Sequence, residues 1–464
     1  NALTANTTGD RNTGIGGSAL AANTTASDNT AVGYDALKLN TTGADNVSVG
    51  NYSLDANTTG TENTALGKSA LGANTTGSNN VALGREALLV NTTANDNTGV
   101  GAYALKANTT ASGNTGIGCS ALTANTTGSK NTALGVRSLE SVTTGERNTG
   151  LGHLALRDVT GSYNTGVGAF ALYQSTTGAQ NIAIGYNALG ANTTGSNNTA
   201  IGQNSLSSNA GSNDNTAVGA LALNDNSTGT QNVGIGVSAL ESNTGGDANT
   251  AVGYHALKAN TTVDGNTGVG YAALRSNTTG SNNTAIGKDA LTANTTGLLN
   301  TAVGRLALSG NTTASYNVAV GEGALEANTT GALNTAIGRG ALQANTTAND
   351  NTAVGAWALL ANTTGLYNVG IGVSALRNAT TADGNTALGF HAGRSTTTGY
   401  NNIAIGYAAL VSNSTGNNNV AIGNNALDAN TASYNTAIGY NALIVNTTGT
   451  DNTAVGSIAM DANT

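Results

Sequence analysis

The chain contains no proline, one cysteine, one methionine and one tryptophan, and only 9 % of its 464 residues are charged. Each shortage closes a route. A single cysteine excludes an internal disulfide framework, and Cys119, at a variable position, reads as a plain exposed thiol. Lys and Arg total 16 against 24 Asp and Glu, with the net charge of −8 spread along the whole chain. That leaves no basic stripe to neutralise phosphates, so nucleic acid is excluded as a partner. No apolar run approaches the roughly 18 residues of a membrane helix, so no membrane insertion by this segment is expected. No signal peptide is visible, which does not argue for a cytoplasmic address. The three histidines, His153, His255 and His391, stand several repeats apart, too far to share a metal.

What the sequence has is one phrase, repeated. Taking the Asn of N-[TVI]-[AGS]-[VIL]-G as position 1, the phrase begins at Asn12 and recurs to Asn452, 27 times. The step is 17 residues except for two repeats of 16, at 148–163 and 419–434, both shortened in the NTTG segment. That segment is therefore the arc that absorbs a deletion, as loops do. Disordered chains are rich in charge and proline and poor in β-branched residues. Here Val, Ile and Thr recur in fixed places, so order is expected. Residues 1–464 read as a single continuous array. It starts in mid-repeat with Asn1 and stops in mid-repeat at Thr464, so caps, anchor and tip are expected outside it.

In the repeat 29–45 the recurrent positions are Asn29, Ala31, Val32, Gly33, Ala36, Leu37 and the arc Asn40, Thr41, Thr42, Gly43. Residues 2 to 4 read as a short strand, with positions 2 and 4 facing one way and the small position 3 the other. Gly at position 5 suits a bend, residues 7 to 10 a second short strand or extended edge, and NTTG a return turn. Seventeen residues with this glycine and an Asn-Thr-Thr-Gly cluster leave no stretch for a stable helix. The fold class expected is all-β: a parallel β-solenoid or β-roll of 27 stacked coils about 4.8 Å apart, on the order of 130 Å in length.

SNNTAIG at 196–202 and 281–287, QNIAIG at 180–185 and NNVAIG at 418–423, each followed by two variable residues and Ala or Ser, resemble the head repeats of trimeric autotransporter adhesins. The likeness covers the first eight or nine positions of every repeat, and L-x-x-N-T-T-G departs from it. The resemblance implies a left-handed β-roll in a parallel homotrimer and an extracellular fibre on a cell or virion surface. Similar arrays occur in predicted phage tail fibres.

The strictly small position 3, for example Ala31, Ser48 and Ala65, separately suggests a neighbour pressed along that face. In that arrangement positions 4, 8 and 9, with Val or Ile at 2, fill the roll. The alternative puts position 3 in a cramped interior and positions 2 and 4 against the partner. Both give a partner.

No cofactor, metal site or catalytic residue is expected, because an array of one residue set does not easily make a unique pocket. Asp28, Asp45, Glu62 and Asp96, at the ends of repeats, lack calcium-roll spacing and read as solvated turn charges. The N-x-T pattern at Asn40 and its equivalents reads first as a turn whose side chains stack into an amide and hydroxyl ladder. Tyr34, Tyr186, Tyr254, Tyr271, Tyr407 and Tyr440, all at position 6, are the candidates for recognising a host-surface glycan or protein receptor. Two function classes follow: a non-enzymatic structural shaft, or an ice- or flat-surface-binding solenoid in which Thr41, Thr42 and their copies form hydroxyl rows.

Overall fold

The computed structural model describes residues 1–463, so Thr464 lies outside the described residues. The chain forms two compact units, Asn1–Gln231 and Asn232–Thr464. Both are all-β, with no helix among the described residues. The first unit holds thirteen three-residue strands, from Thr13–Ile15 to Thr216–Val218, and the second fourteen, from Val233–Ile235 to Thr453–Val455. Each of these strands is positions 2 to 4 of one coil, and the second unit adds one parallel two-residue pair at positions 11 and 12, Val445–Asn446 with Ala462–Asn463. Within a unit every strand pairs in parallel and in register with that of the next coil, as Thr30, Ala31 and Val32 do with Val47, Ser48 and Val49. Each unit is therefore a parallel β-solenoid, with its ladder running coil on coil rather than around the coil.

Backbone groups alternate between the two neighbouring coils. Thr30 N donates forward to Asn46 O at 2.8 Å, Gly33 N backward to Ile15 O at 2.8 Å and Leu37 N forward to Ser53 O at 3.0 Å. Apart from turn bonds inside a coil, such as Ser53 N to Gly50 O at 3.3 Å and Asn57 N to Leu54 O at 3.2 Å, the backbone groups pair with neighbouring coils, so stacking is the main source of stability.

The interior is narrow. In coil 29–45 it takes Asn29, Ala31, Ala36, Leu37, Asn40 and Gly43, whereas Thr30 and Val32 look outward. The first orientation expected from the sequence is thus reversed, and its stated alternative holds for position 3. The reason is width. A Cβ on Gly99 would already lie 3.4 Å from both Leu88 Cγ of the preceding coil and Ala104 O. Position 9 fills the space that a larger position 3 would need.

The second expected strand is also absent. Residues 34–39 form a continuous turn, and positions 7 and 9 are left-handed, with Asp35 at φ 55° and Leu37 at φ 50°. A left-handed Leu costs on the order of 1 kcal/mol. Burying its side chain contributes roughly 1.5–3 kcal/mol, and Leu37 is fully buried. The last residue of each coil is left-handed too, as at Asp28 and Asp45, which accounts for the Asp and Asn found there.

The shortened coil 148–163 keeps its neighbours' strand register and asparagine ladder, and its change of conformation is confined to the arc. Thr149, Gly150 and Leu151 pair in register with Thr165, Gly166 and Val167, and Asn164 N still reaches Asn148 Oδ1 at 2.9 Å. Deleting Thr42 is therefore expected to cost less than about 1 kcal/mol, in the range of ordinary surface changes. Thermal melting by circular dichroism checks this. A loss as large as that of a buried substitution would show that the arc is not where the coil gives.

Candidate surfaces and side-chain ladders

Two columns of buried carboxamides run through the stack. Asn46 N and Nδ2 donate to Asn29 Oδ1 at 3.0 and 3.2 Å, and Asn46 Nδ2 also donates to Gly60 O at 2.9 Å. Asn57 Nδ2 donates to Asn40 Oδ1 at 2.8 Å and to the same Gly60 carbonyl at 2.9 Å. Position 1 and position 12 thus clamp the carbonyl of position 15 from two sides. Buried amides need partners, and here the partners are their own copies. Glycosylation at position 12 does not fit the folded coil, since Asn40 is fully buried and its Nδ2 is engaged.

The second column has gaps. Position 12 is Val142, Val159 and Ser175 in three successive coils, and Ala379 and Thr396 in two others. At the edges of the gaps Asn125 Oδ1 and Asn362 Oδ1 are buried without a partner, as is Thr396 Oγ1. Ala379→Asn supplies a donor to Asn362 and an acceptor to Thr396. It is expected to stabilise the protein by about 1 kcal/mol, measured as a raised denaturation midpoint. A lowered midpoint would show that the ladder is not the limiting interaction there.

The threonines of the arc separate. Thr41 is half-buried and its hydroxyl donates to Thr58 O at 3.0 Å, whereas Thr42 is exposed. The Thr41 row is thus already committed to the next coil. The regular outward surface is instead the strand face, which the first orientation expected from the sequence places inward. Position 2 is Thr in 19 of 27 coils and Val or Ile in the rest, and position 4 is Val, Ile or Leu in all 27. Ile15, Leu66, Leu134, Ile286 and Leu388, all at position 4, are 41–59 % exposed. At about 4.8 Å per coil the aliphatic row is roughly 60 Å long in each unit, more than the scattered apolar residues of an ordinary surface.

All six candidate tyrosines of position 6 are exposed. Only Tyr254 and Tyr271 adjoin each other, stacked at 5.4 Å between centroids, while Tyr407 stacks on Phe390 at 5.4 Å and Tyr34 meets Tyr52 edge-on. They do not form one platform. His255 lies on Tyr254 and His391 on Phe390, each at 3.8 Å. Burial lowers the pKa of both imidazoles, helped by Lys258 and Arg275 at the first and by Arg394 and Arg377 at the second. Among the described residues no group of three His, Cys, Asp or Glu could hold a metal, and no helix is long and apolar enough to cross a membrane. Cys119 is exposed.

No protein-family model matches the chain, and comparison with the curated proteins finds no match.

Proposed function

We propose that this chain is a non-enzymatic structural shaft of an extracellular fibre, at a cell or virion surface, in which copies of the chain associate as a parallel homotrimer. The observation that carries the reading is the strand face: aliphatic at position 4 in every coil, turned outward, and in register. A second copy presenting the same row gives each exposed Val, Ile or Leu an apolar neighbour, at about 25 cal/mol for each Å² removed from water. Repetition of one residue set suits reach rather than chemistry. The likeness to adhesin head repeats supports the trimer and the surface location, and a glycan or protein receptor is the partner class such a fibre would meet.

Light scattering tests it. The chain is expected at three times its 45.3 kDa mass, and the combined variant Ile184→Lys, Ile201→Lys, Ile286→Lys and Ile337→Lys at one time, with unchanged circular dichroism. A monomer mass for the unaltered chain would sink the trimer. A small-angle scattering profile of a compact particle would sink the shaft.

One observation favours a second reading, ice or flat-surface binding: the Thr-rich row at position 2 lies beside the aliphatic row on the same outward face. The two readings compete for that face. Thermal hysteresis of the purified chain, abolished by the same four lysines, would select the second.

A further inference from the structure

Position 7 carries a side chain in every complete coil but two, and those two, Gly323 and Gly340, are neighbours. Their backbones do not require glycine more than the others do. Both have φ 64°, and Ser69 at 55°, Tyr52 at 58° and Tyr103 at 63° hold the same left-handed conformation at this position. What the pair contributes is missing bulk. A notch of about 350 Å³ opens there, walled by Leu306 and Trp357, the position 7 side chains of the flanking coils.

The notch is lined by mixed chemistry. A Cβ on Gly323 would lie 3.1 Å from Glu326 Oε2, and one on Gly340 would lie 3.4 Å from Gln343 Oε1 and 3.1 Å from Trp357 Cδ1. A carboxylate, an amide oxygen and an indole edge therefore hang over the two glycines. Gln343 Nε2 donates to Glu326 Oε2 at 2.7 Å, which orients both. On the other side Arg305 donates to Glu322 Oε1 at 2.7 Å, and the Arg339 guanidinium stands 3.9 Å from Glu322 Oε2. The hydrogen bond from Arg305 holds the Glu322 pKa below the usual carboxylate range.

We propose that this notch binds a pyranose, as a neutral hexose unit of a glycan. Two arginines and two glutamates balance one another around it, so neither an anion nor a cation is favoured. A neutral polyol can donate hydroxyls to the carboxylate and amide oxygens and accept from the guanidinium. The Trp357 edge at Cδ1 gives the C–H groups of a sugar ring an apolar wall, beside the Arg339 guanidinium that stands over the indole at 5.6 Å from its centroid. The volume lies at the small end of ligand sites, sized for one ring. The proposal does not depend on the trimer or on the strand face, so a monomeric chain would still bind.

Trp357 is the only tryptophan, so its emission reports this notch alone. Titration of the full chain with glucose, galactose, mannose, fucose and N-acetylglucosamine is expected to give a saturable emission change with at least one of them. Gly323→Tyr should abolish it while leaving thermal melting unchanged, because Tyr52 and Tyr103 already occupy the equivalent position. Gln343→Ala, which leaves the backbone untouched, should bind about tenfold more weakly. No saturable change with any neutral sugar, a change only with sialic acid, or equal affinity in Gln343→Ala would overturn the proposal.

Discussion

Gly33→Val is expected to open the stack around the second coil and to cost more than about 3 kcal/mol. The glycine at position 5 recurs in all 27 coils and has φ between 124° and 141°, a region that side chains rarely enter. Space forbids it as well. A Cβ on Gly33 would lie 2.5 Å from Gly50 O and 2.7 Å from Gly50 C, backbone atoms of the next coil that no rotamer change can move. The same contact recurs at Gly185, whose Cβ would lie 2.6 Å from Gly202 O. In a repeat array each coil leans only on its neighbours, so damage should be local. Hydrogen exchange is expected to accelerate over roughly the coils flanking residue 33 while distant coils keep their protection. Ala102→Val, at the adjacent variable position of another coil, is the control and should be near neutral. Equal behaviour of the two variants would mean that the close approach of successive coils is not what excludes a side chain.

Ala31→Lys is the second large effect, and it strikes the fold rather than the assembly. Ala31 has no exposed surface and points into the roll, where a lysine would be both too large and an unpaired buried charge. A loss of at least about 3 kcal/mol is expected, with loss of β signal at moderate denaturant. Val32→Lys, one residue on, places its ammonium in water and should leave the coil intact. Ala31→Ser should be mild, since Ser48 holds the equivalent place and its Oγ donates to Ser53 O at 2.7 Å. The natural Lys38 shows what the rim tolerates: its side chain is 43 % exposed and its Nζ pairs with Oδ2 of the buried Asp35 at 3.0 Å. If Ala31→Lys folded normally and only changed the mass of the assembly, the interior placement of position 3 would be wrong.

The candidate surfaces divide along the same line. The six tyrosines at position 6 were visible in the sequence because aromatic residues stand out against so plain a background, yet only the stacking of coils shows that two of them adjoin. The notch at Gly323 and Gly340 had a signal, two successive glycines where other coils carry side chains. It was unreadable without knowing that position 7 is left-handed and outward, and that Leu306 and Trp357 stand on either side.

The amino-acid sequence by itself determined the period, the parallel stacking of coils, the close approach at position 5, the burial of Ala36 and Leu37 and the elasticity of the Asn-Thr-Thr-Gly arc. All of these follow from which residue types a position accepts in copy after copy, and a 17-residue period with an unbroken glycine leaves few folds. Only the tertiary structure decided which strand face is inside. Positions 2 and 4 are apolar or β-branched and position 3 is small, and alternation along a strand assigns them to opposite faces without choosing between the faces. The choice is made by Leu88 and its copies, whose left-handed backbone turns them across the roll so that only hydrogen, methyl or hydroxymethyl fits opposite. No local propensity announces that a leucine will be left-handed, because the conformation is unfavourable alone and is stabilised only by burial against the next coil.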